Sequence, residues 1–252
     1  MTITSTLHPR GVRTVTMDYP PVNALPVAGW FDVAAAMREA SADAETRVVI
    51  LRAEGRGFNA GVDIKEMQRI EGFSGILGAN RGCYEAFKAI YECAVPVIAA
   101  VNGFCLGGGV GLVGNSDVIV ASDDATFGVP EVDRGALGAA THLSRLVPQH
   151  MLRSMYYTSR TVTAQRLEEF GSVSAVVPRD ELDATALALA EDIAAKDPRV
   201  IRAAKEALNG IDPIDVNRSY RFEQGFTFEL NLAGVADEHR DAFVATGENL
   251  ST

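Results

Sequence analysis

Glycine stands where two apolar strands should end, in Gly57-Phe58-Asn59-Ala60-Gly61-Val62-Asp63 and in Asn102-Gly103-Phe104-Cys105-Leu106-Gly107-Gly108-Gly109. A main-chain N–H approaches a ligand oxygen closely only where no side chain intervenes. Gly61 before Val62, and the run Gly107 to Gly109, therefore suit two backbone donors converging on one carbonyl oxygen. Helix-forming residues follow each segment, Ile64 to Met67 and Val110 to Val113. They set the positive end of a helix dipole behind each donor, which favours negative charge growing on that oxygen. Asp63, between the first donor and its helix, has the type and place of an N-cap.

The elements that must carry these segments follow from the hydrophobic pattern. Val12–Met17, Val48–Leu51, Val97–Val101 and Val118–Ala121 are short apolar runs bounded by Pro, Gly, Asn or Asp, as strands are. Trp30, Phe31, Ala34 and Met37 recur at helical spacing between the first two. A second amphipathic helix runs from Ile76 to Cys93 with Tyr84, Phe87, Ile90 and Tyr91 on its apolar face. Strand and helix alternate through the N-terminal two-thirds, which predicts an α/β core. After Pro178 only helices follow, at Leu182–Ala195, Val200–Asn209, Val216–Leu232 and Asp237–Ala245. The expected division is an α/β core over residues 1–178 carrying the site and a helical region over 179–252.

The chain has 252 residues and a formal net charge of −10. It is long enough for one large core, and its charge speaks against nucleic acid as the main partner. Cys83, Cys93 and Cys105 are odd in number and lack metal-type spacing, so a reduced cytoplasm and no disulfide framework are expected. The first thirteen residues hold no signal-peptide apolar stretch, and no segment reaches the roughly eighteen apolar residues of a membrane span. No metal site is expected.

Gly109-Val110-Gly111-Leu112-Val113-Gly114 also satisfies G-x-G-x-x-G, the dinucleotide fingerprint. A nucleotide-binding turn sets its first glycine at the strand end, whereas Asn102 to Gly108 intervene here. Only Asn115-Ser116-Asp117 then separate Gly114 from the next strand, too few for a crossover helix.

The segments Phe58-Asn59-Ala60-Gly61-Val62-Asp63-Ile64-Lys65-Glu66-Met67 and Asn102 to Leu112 are joined by Ala125 to Gly138 and the opening Tyr19-Pro20-Pro21-Val22-Asn23-Ala24-Leu25. Together they resemble the crotonase (enoyl-CoA hydratase/isomerase) family over nearly the whole chain. The resemblance implies a spiral of ββα turns with a helical C-terminal region that trimerises, as a homotrimer or dimer of trimers. The ligand implied is an acyl-CoA thioester, coenzyme A belonging to the substrate and no separate cofactor being required. It assigns the two oxyanion-hole N–H groups to Val62 and Gly108, and the CoA moiety to Arg56, Ala60, Val62, Asp63, Ile64 and Lys65. Pro20-Pro21 replaces the lysine that often precedes the Asn-Ala-Leu motif, which puts one CoA phosphate contact in doubt.

Crotonases that hydrate an enoyl thioester use two glutamates, whose places here are Gly111 and Glu131. A lone carboxylate places and deprotonates water poorly, so ordinary hydration is disfavoured. The missing side chain at Gly111 has two readings, room for a bulky or cyclic acyl group and tight helix packing. Glu131, stiffened by Pro130, is the expected general base, its pKa raised by partial burial. Asp133 and Arg134 read as a solvated pair. His142 falls where simple crotonases tend to carry glycine, and either meets the ligand or is a structural histidine.

The whole-chain pattern is also similar to crotonases that hydrolyse a carbon–carbon bond by a retro-Claisen route during cholesterol breakdown. The implied reaction opens a cyclic ketone in a bicyclic steroid-derived CoA thioester, with water activated by Glu131 and the enolate held by the Val62 and Gly108 N–H groups. Two alternatives stay open, an enoyl-CoA isomerase or hydratase and a non-catalytic acyl-CoA-binding protein.

Overall fold

In the computed structural model, which describes residues 1–246, two sheets are wound from repeated strand–strand–helix turns. The elements in chain order are β1 (Thr2–Leu7), β2 (Val12–Asp18), α1 (Val27–Ala42), β3 (Val48–Ala53), α2 (Ile64–Arg69) and α3 (Ser74–Tyr91). Next come β4 (Val97–Val101), β5 (Phe104–Leu106), α4 (Gly108–Gly114), β6 (Val118–Ser122), β7 (Thr126–Gly128), α5 (Ala140–Leu143), α6 (Gln149–Thr158), β8 (Val162–Thr163), α7 (Ala164–Glu169) and β9 (Ala175–Val177). Four helices finish the chain: α8 (Leu182–Ala194), α9 (Pro198–Gly210), α10 (Val216–Leu232) and α11 (Val235–Thr246).

The larger sheet has the order β1-β2-β3-β4-β6-β9, parallel throughout except for the antiparallel edge pair β1–β2. A smaller sheet, β5-β7-β8, lies beside it. β4 hands the chain to β5 and then α4, and β6 hands it to β7. The loop after β3 makes the same step, because Asn59 bridges Cys105 in parallel and so adjoins the second sheet.

Both faces of the larger sheet are covered, which explains its continuous apolar strands. Val15, Met17, Val49, Leu51, Val97, Ala99 and Val101 point into the main core with Trp30, Met37, Phe87 and Ile90. The alternate residues Val12, Val48, Ile50, Ile98, Ala100 and Val120 meet Leu182, Ala186, Ala190 and Ala194 of α8. The alanine spacing on α8 lets the helix lie close on that face.

The expected strands and C-terminal helices fall within a few residues of those observed. The sequence reading omitted β1, whose residues alternate without an apolar run. It also omitted the short β5, β7, β8 and β9 and the helices α5, α6 and α7. Among the described residues no helix is long and apolar enough to cross a membrane, and all three cysteines are free and buried.

Candidate active site

Two buried asparagines build the first glycine segment. Asn23, at positive φ, accepts from Tyr19 N–H at 2.7 Å and donates to the carbonyls of Glu54 and Gly57 at 2.7 and 2.8 Å. Asn59 donates to Asn23 O at 2.6 Å and accepts from Gly61 N–H at 2.7 Å. Leu25 then brackets the next residue, donating to Gly61 O and accepting from Asp63 N–H, each at 2.9 Å. The Val62 N–H between them has no acceptor among the described residues. Asp63 caps α2, accepting from Lys65 and Glu66 N–H.

The second segment ends β5 and starts α4. Gly107 takes φ +54°, a left-handed conformation that a side chain strongly disfavours. The place a Cβ would take there is filled by the Glu131 carboxylate. Gly108 opens α4, so its N–H lacks an intrahelical partner, and it has none elsewhere among the described residues. The two segments touch: a Cβ at Gly61 (φ +87°) would lie 3.4 Å from Gly108 N. Side chains are excluded from both positions, which brings the Val62 and Gly108 backbones to one rim of a cavity of about 780 Å³.

That cavity is mainly apolar in its lining. Ala60, Val62, Asp63, Ile64 and Lys65 line it together with Gly107, Gly108, Pro130 and Glu131 and the rings of Phe87, Tyr220 and Phe243. Arg56 is not among the lining residues; it is exposed with its guanidinium 3.4 Å from Pro21 O.

Glu131 sits in the 3-10 turn Pro130–Arg134. Its Oε2 is buried without a hydrogen-bond partner among the described residues. Burial is the main cause that pushes its pKa up to about 8, with nearby Glu223 adding to the rise while its own backbone N–H and Arg134 oppose it. The loop after it is pinned from α10. Glu223 accepts from Ala140 and Thr141 N–H at 3.0 and 3.4 Å and from Tyr156 OH at 2.7 Å, and Tyr156 OH accepts from Gly138 N–H at 3.1 Å.

The glycines of α4 are a packing stripe. A Cβ at Gly108 would lie 2.5 Å from the Trp30 ring, and one at Gly114 would lie 2.7 Å from His142 Cβ. At Gly111 the space is filled by the Phe87 ring. The tight-packing reading of Gly111 therefore holds, and the extra-room reading does not: a phenyl ring stands where a second carboxylate would go. Gly111 and Gly114 of this stripe, with Gly109, where a Cβ would lie 2.8 Å from Asn59 O, account for the G-x-G-x-x-G pattern.

His142 is buried and does not line the cavity. Phe87 and Tyr220 stand beside it with ring centroids 4.7 and 5.0 Å away, and its Nδ1 pairs with Asn115 at 2.9 Å. Burial, helped by Arg145, lowers its pKa to about 3, so the ring is neutral. The solvated-pair reading of Asp133 and Arg134 fails for Arg134. It lines the cavity, with its guanidinium carbon 3.6 Å from the Phe243 ring centroid and Nη1 buried without a hydrogen-bond partner among the described residues. In the sequence Phe87, Tyr220 and Glu223 stand only as residues of expected helices, and Tyr156 lies on α6, for which no helix was expected. Their roles depend on which helices the topology brings together.

The enoyl-CoA hydratase/isomerase family profile matches residues 8–227. Two relatives, from Rhodococcus jostii and Mycobacterium tuberculosis, bear the name (7aS)-7a-methyl-1,5-dioxo-2,3,5,6,7,7a-hexahydro-1H-indene-carboxyl-CoA hydrolase. The first is 69% identical over 98% of this chain and 96% of its own length, the second 72% over 97% and 99%. An enoyl-CoA hydratase/isomerase crystal structure from Xanthobacter autotrophicus Py2 matches 98% of this chain and 94% of its own with a TM-score of 0.89 and 30% identity. Fold, matched length and the paired glycine segments agree, and the chain belongs to the enoyl-CoA hydratase/isomerase, or crotonase, family.

Proposed function

We propose that this protein hydrolyses a carbon–carbon bond in a bicyclic, steroid-derived CoA thioester, opening the ring that carries a ketone. The reading agrees with the name borne by the two relatives that match nearly the whole chain. The observation that carries it is the Glu131 carboxylate, its Oε2 buried and unpartnered among the described residues, set beside Gly107 in a wide apolar cavity that also holds two unpartnered N–H donors, with Phe87 in place of a second carboxylate.

The chemistry follows from these parts. Ala60 and Val62 to Lys65 hold the CoA arm at the rim, with Arg56 outside it, and the thioester oxygen lies between the Val62 and Gly108 N–H groups. Water gives one proton to Glu131 and its oxygen to the ring ketone carbon, forming a tetrahedral oxyanion. That oxyanion collapses, the carbon–carbon bond breaks, and its electron pair passes into the conjugated thioester as a dienolate. Glu131 returns its proton to carbon, and the new carboxylic acid leaves as a carboxylate. The backbone donors stabilise the dienolate, a task for which one donor is typically worth on the order of 10²–10³ in rate. These steps call on no metal or redox group; coenzyme A is part of the substrate.

His142 acts indirectly, holding Phe87 and Tyr220 from behind. The protein works in the cytoplasm as a homotrimer or dimer of trimers, its exposed Phe222 and Phe226 on α10 covered by a neighbouring copy.

The lone carboxylate also suits an enoyl-CoA isomerase, since a 1,3-proton shift needs one base. Steady-state assays separate the readings. A bicyclic indane-dione CoA thioester should be consumed with kcat/KM at least about 10²-fold above that for hydration of crotonyl-CoA or isomerisation of a 3-enoyl-CoA. Equal or greater activity on the simple enoyl thioesters would return the protein to the hydratases and isomerases.

A further inference from the structure

The proposed ring opening generates two anions at different places. One is the dienolate on the thioester, which the Val62 and Gly108 N–H groups face. The other begins as the oxyanion on the attacked ring ketone and ends as the product carboxylate, and the two backbone donors are already committed to the first. A second donor with a positive charge is needed where that oxygen lies, beside Glu131.

Among the described residues, four cationic side chains line the cavity: Lys65, Arg69, Arg134 and Arg240. Lys65 and Arg69 belong to α2, next to the segment assigned to CoA, and Arg69 Nε donates to Lys65 O at 3.0 Å. Arg240 is engaged by Asn231 Oδ1 and by Asp237. Arg134 differs. It follows Glu131 by three residues in one 3-10 turn, its guanidinium carbon lies 3.6 Å from the Phe243 ring centroid, and its Nη1 is buried with no hydrogen-bond partner among the described residues. Stacking on an aromatic face fixes the fork's orientation without using its N–H groups. A buried N–H without an acceptor costs free energy unless a ligand satisfies it.

We propose that Arg134 is the anion-receiving residue of the acyl pocket, donating to the ring ketone oxygen and holding it as it becomes the carboxylate of the ring-opened product. The inference rests on the C–C hydrolase reading. In the attack, the water oxygen bonds to the ketone carbon as one C=O electron pair moves onto the oxygen beside Arg134. When the carbon–carbon bond breaks, that pair reforms the C=O, the cleaved bond's pair goes to the dienolate, and loss of the acid proton leaves a carboxylate against the guanidinium. A planar fork suits a carboxylate better than an ammonium does, because both oxygens can be held at once. The coulombic link between Arg134 and Glu131 also puts the positive charge beside the base that must ionise.

The test reads affinity without turnover. Dissociation constants are measured for the ring-opened carboxylate CoA thioester, its primary carboxamide and butyryl-CoA, with wild type, Arg134→Met and Arg134→Lys. Wild type should prefer the carboxylate over the carboxamide by about 10-fold or more, the scale of one charge-assisted hydrogen bond. Arg134→Met should lose that preference while binding butyryl-CoA as before, Arg134→Lys should keep part of it, and kcat for ring opening should fall about 10²-fold in Arg134→Met. A wild-type enzyme indifferent to the two ligands, an Arg134→Met variant that still discriminates, or an equal loss of butyryl-CoA binding would each overturn the proposal. Failure of the hydrolase reading shows separately, as wild type that leaves the bicyclic ring intact.

Discussion

Glu131 is held mostly protonated at neutral pH, because burial raises its pKa to about 8. A base works when ionised, so kcat/KM of the free enzyme should climb with pH and level off above about 8. A profile flat from pH 6 to 9 would remove Glu131 as the base. Glu131→Gln keeps the shape and removes the base: turnover should drop by about 10³ or more while the ring-opened CoA thioester still binds within a few-fold. The same shift bears on stability. Below pH 4.5 both folded and unfolded chains hold the proton; between 4.5 and about 8 only the unfolded chain releases it, so stability falls as pH rises through that window. Glu131→Gln should therefore melt like wild type near pH 4 and at a higher temperature at pH 8, by an amount bounded at about 5 kcal/mol. Of these residues, the glycines were legible in the sequence because each performs a local task, setting a turn, and Glu131 was legible through the family resemblance of Ala125 to Gly138. Arg134 was not, since a charged pair in sequence looks the same in water and in a cavity until Phe243 is brought over it by the fold.

At the scale of elements, α4 carries the argument. Its glycines at 108, 111 and 114 accept Trp30 from α1, Phe87 from α3 and His142 from α5, so one short helix sets both an N–H donor and the back wall of the pocket. Gly111→Ala should cost about 1–3 kcal/mol through overpacking on Phe87, read as a drop in melting temperature. The double variant Gly111→Ala, Phe87→Ala should recover part of that loss, a coupling expected of residues in contact; strict additivity would show that the two do not meet. The sequence displayed a glycine run and left packing and extra room equally open. The apolar period of α3 placed Phe87 on a buried face and nothing more, because periodicity tells which face is buried and not which helix it meets. His142 shows the same limit: its pocket-side neighbours come from α3 and α10, far from it in sequence.

Over the whole molecule, the parallel sheet and the helical C-terminal region were legible because continuous apolar strands and long amphipathic helices are strong signals. The edge strand β1 and the second sheet's strands of two or three residues were not, being too short or too polar to carry a period. α10 reaches the cavity through Tyr220 and Thr227 while leaving Phe222 72% and Phe226 41% exposed, an apolar face that fits a subunit contact. Sedimentation should give the mass of a trimer or hexamer, and Phe222→Glu with Phe226→Glu should lower it; a stable wild-type monomer would contradict the assembly. The account as a whole rests on where the oxygen of water ends up. The most direct measurement incubates the wild-type enzyme in H₂¹⁸O with the bicyclic indane-dione CoA thioester and reads the product by mass spectrometry. The account predicts the gain of one water with ¹⁸O in a new carboxylate and the CoA thioester intact, whereas a product with both rings closed, or free coenzyme A with ¹⁸O in the thioester-derived acid, would contradict it.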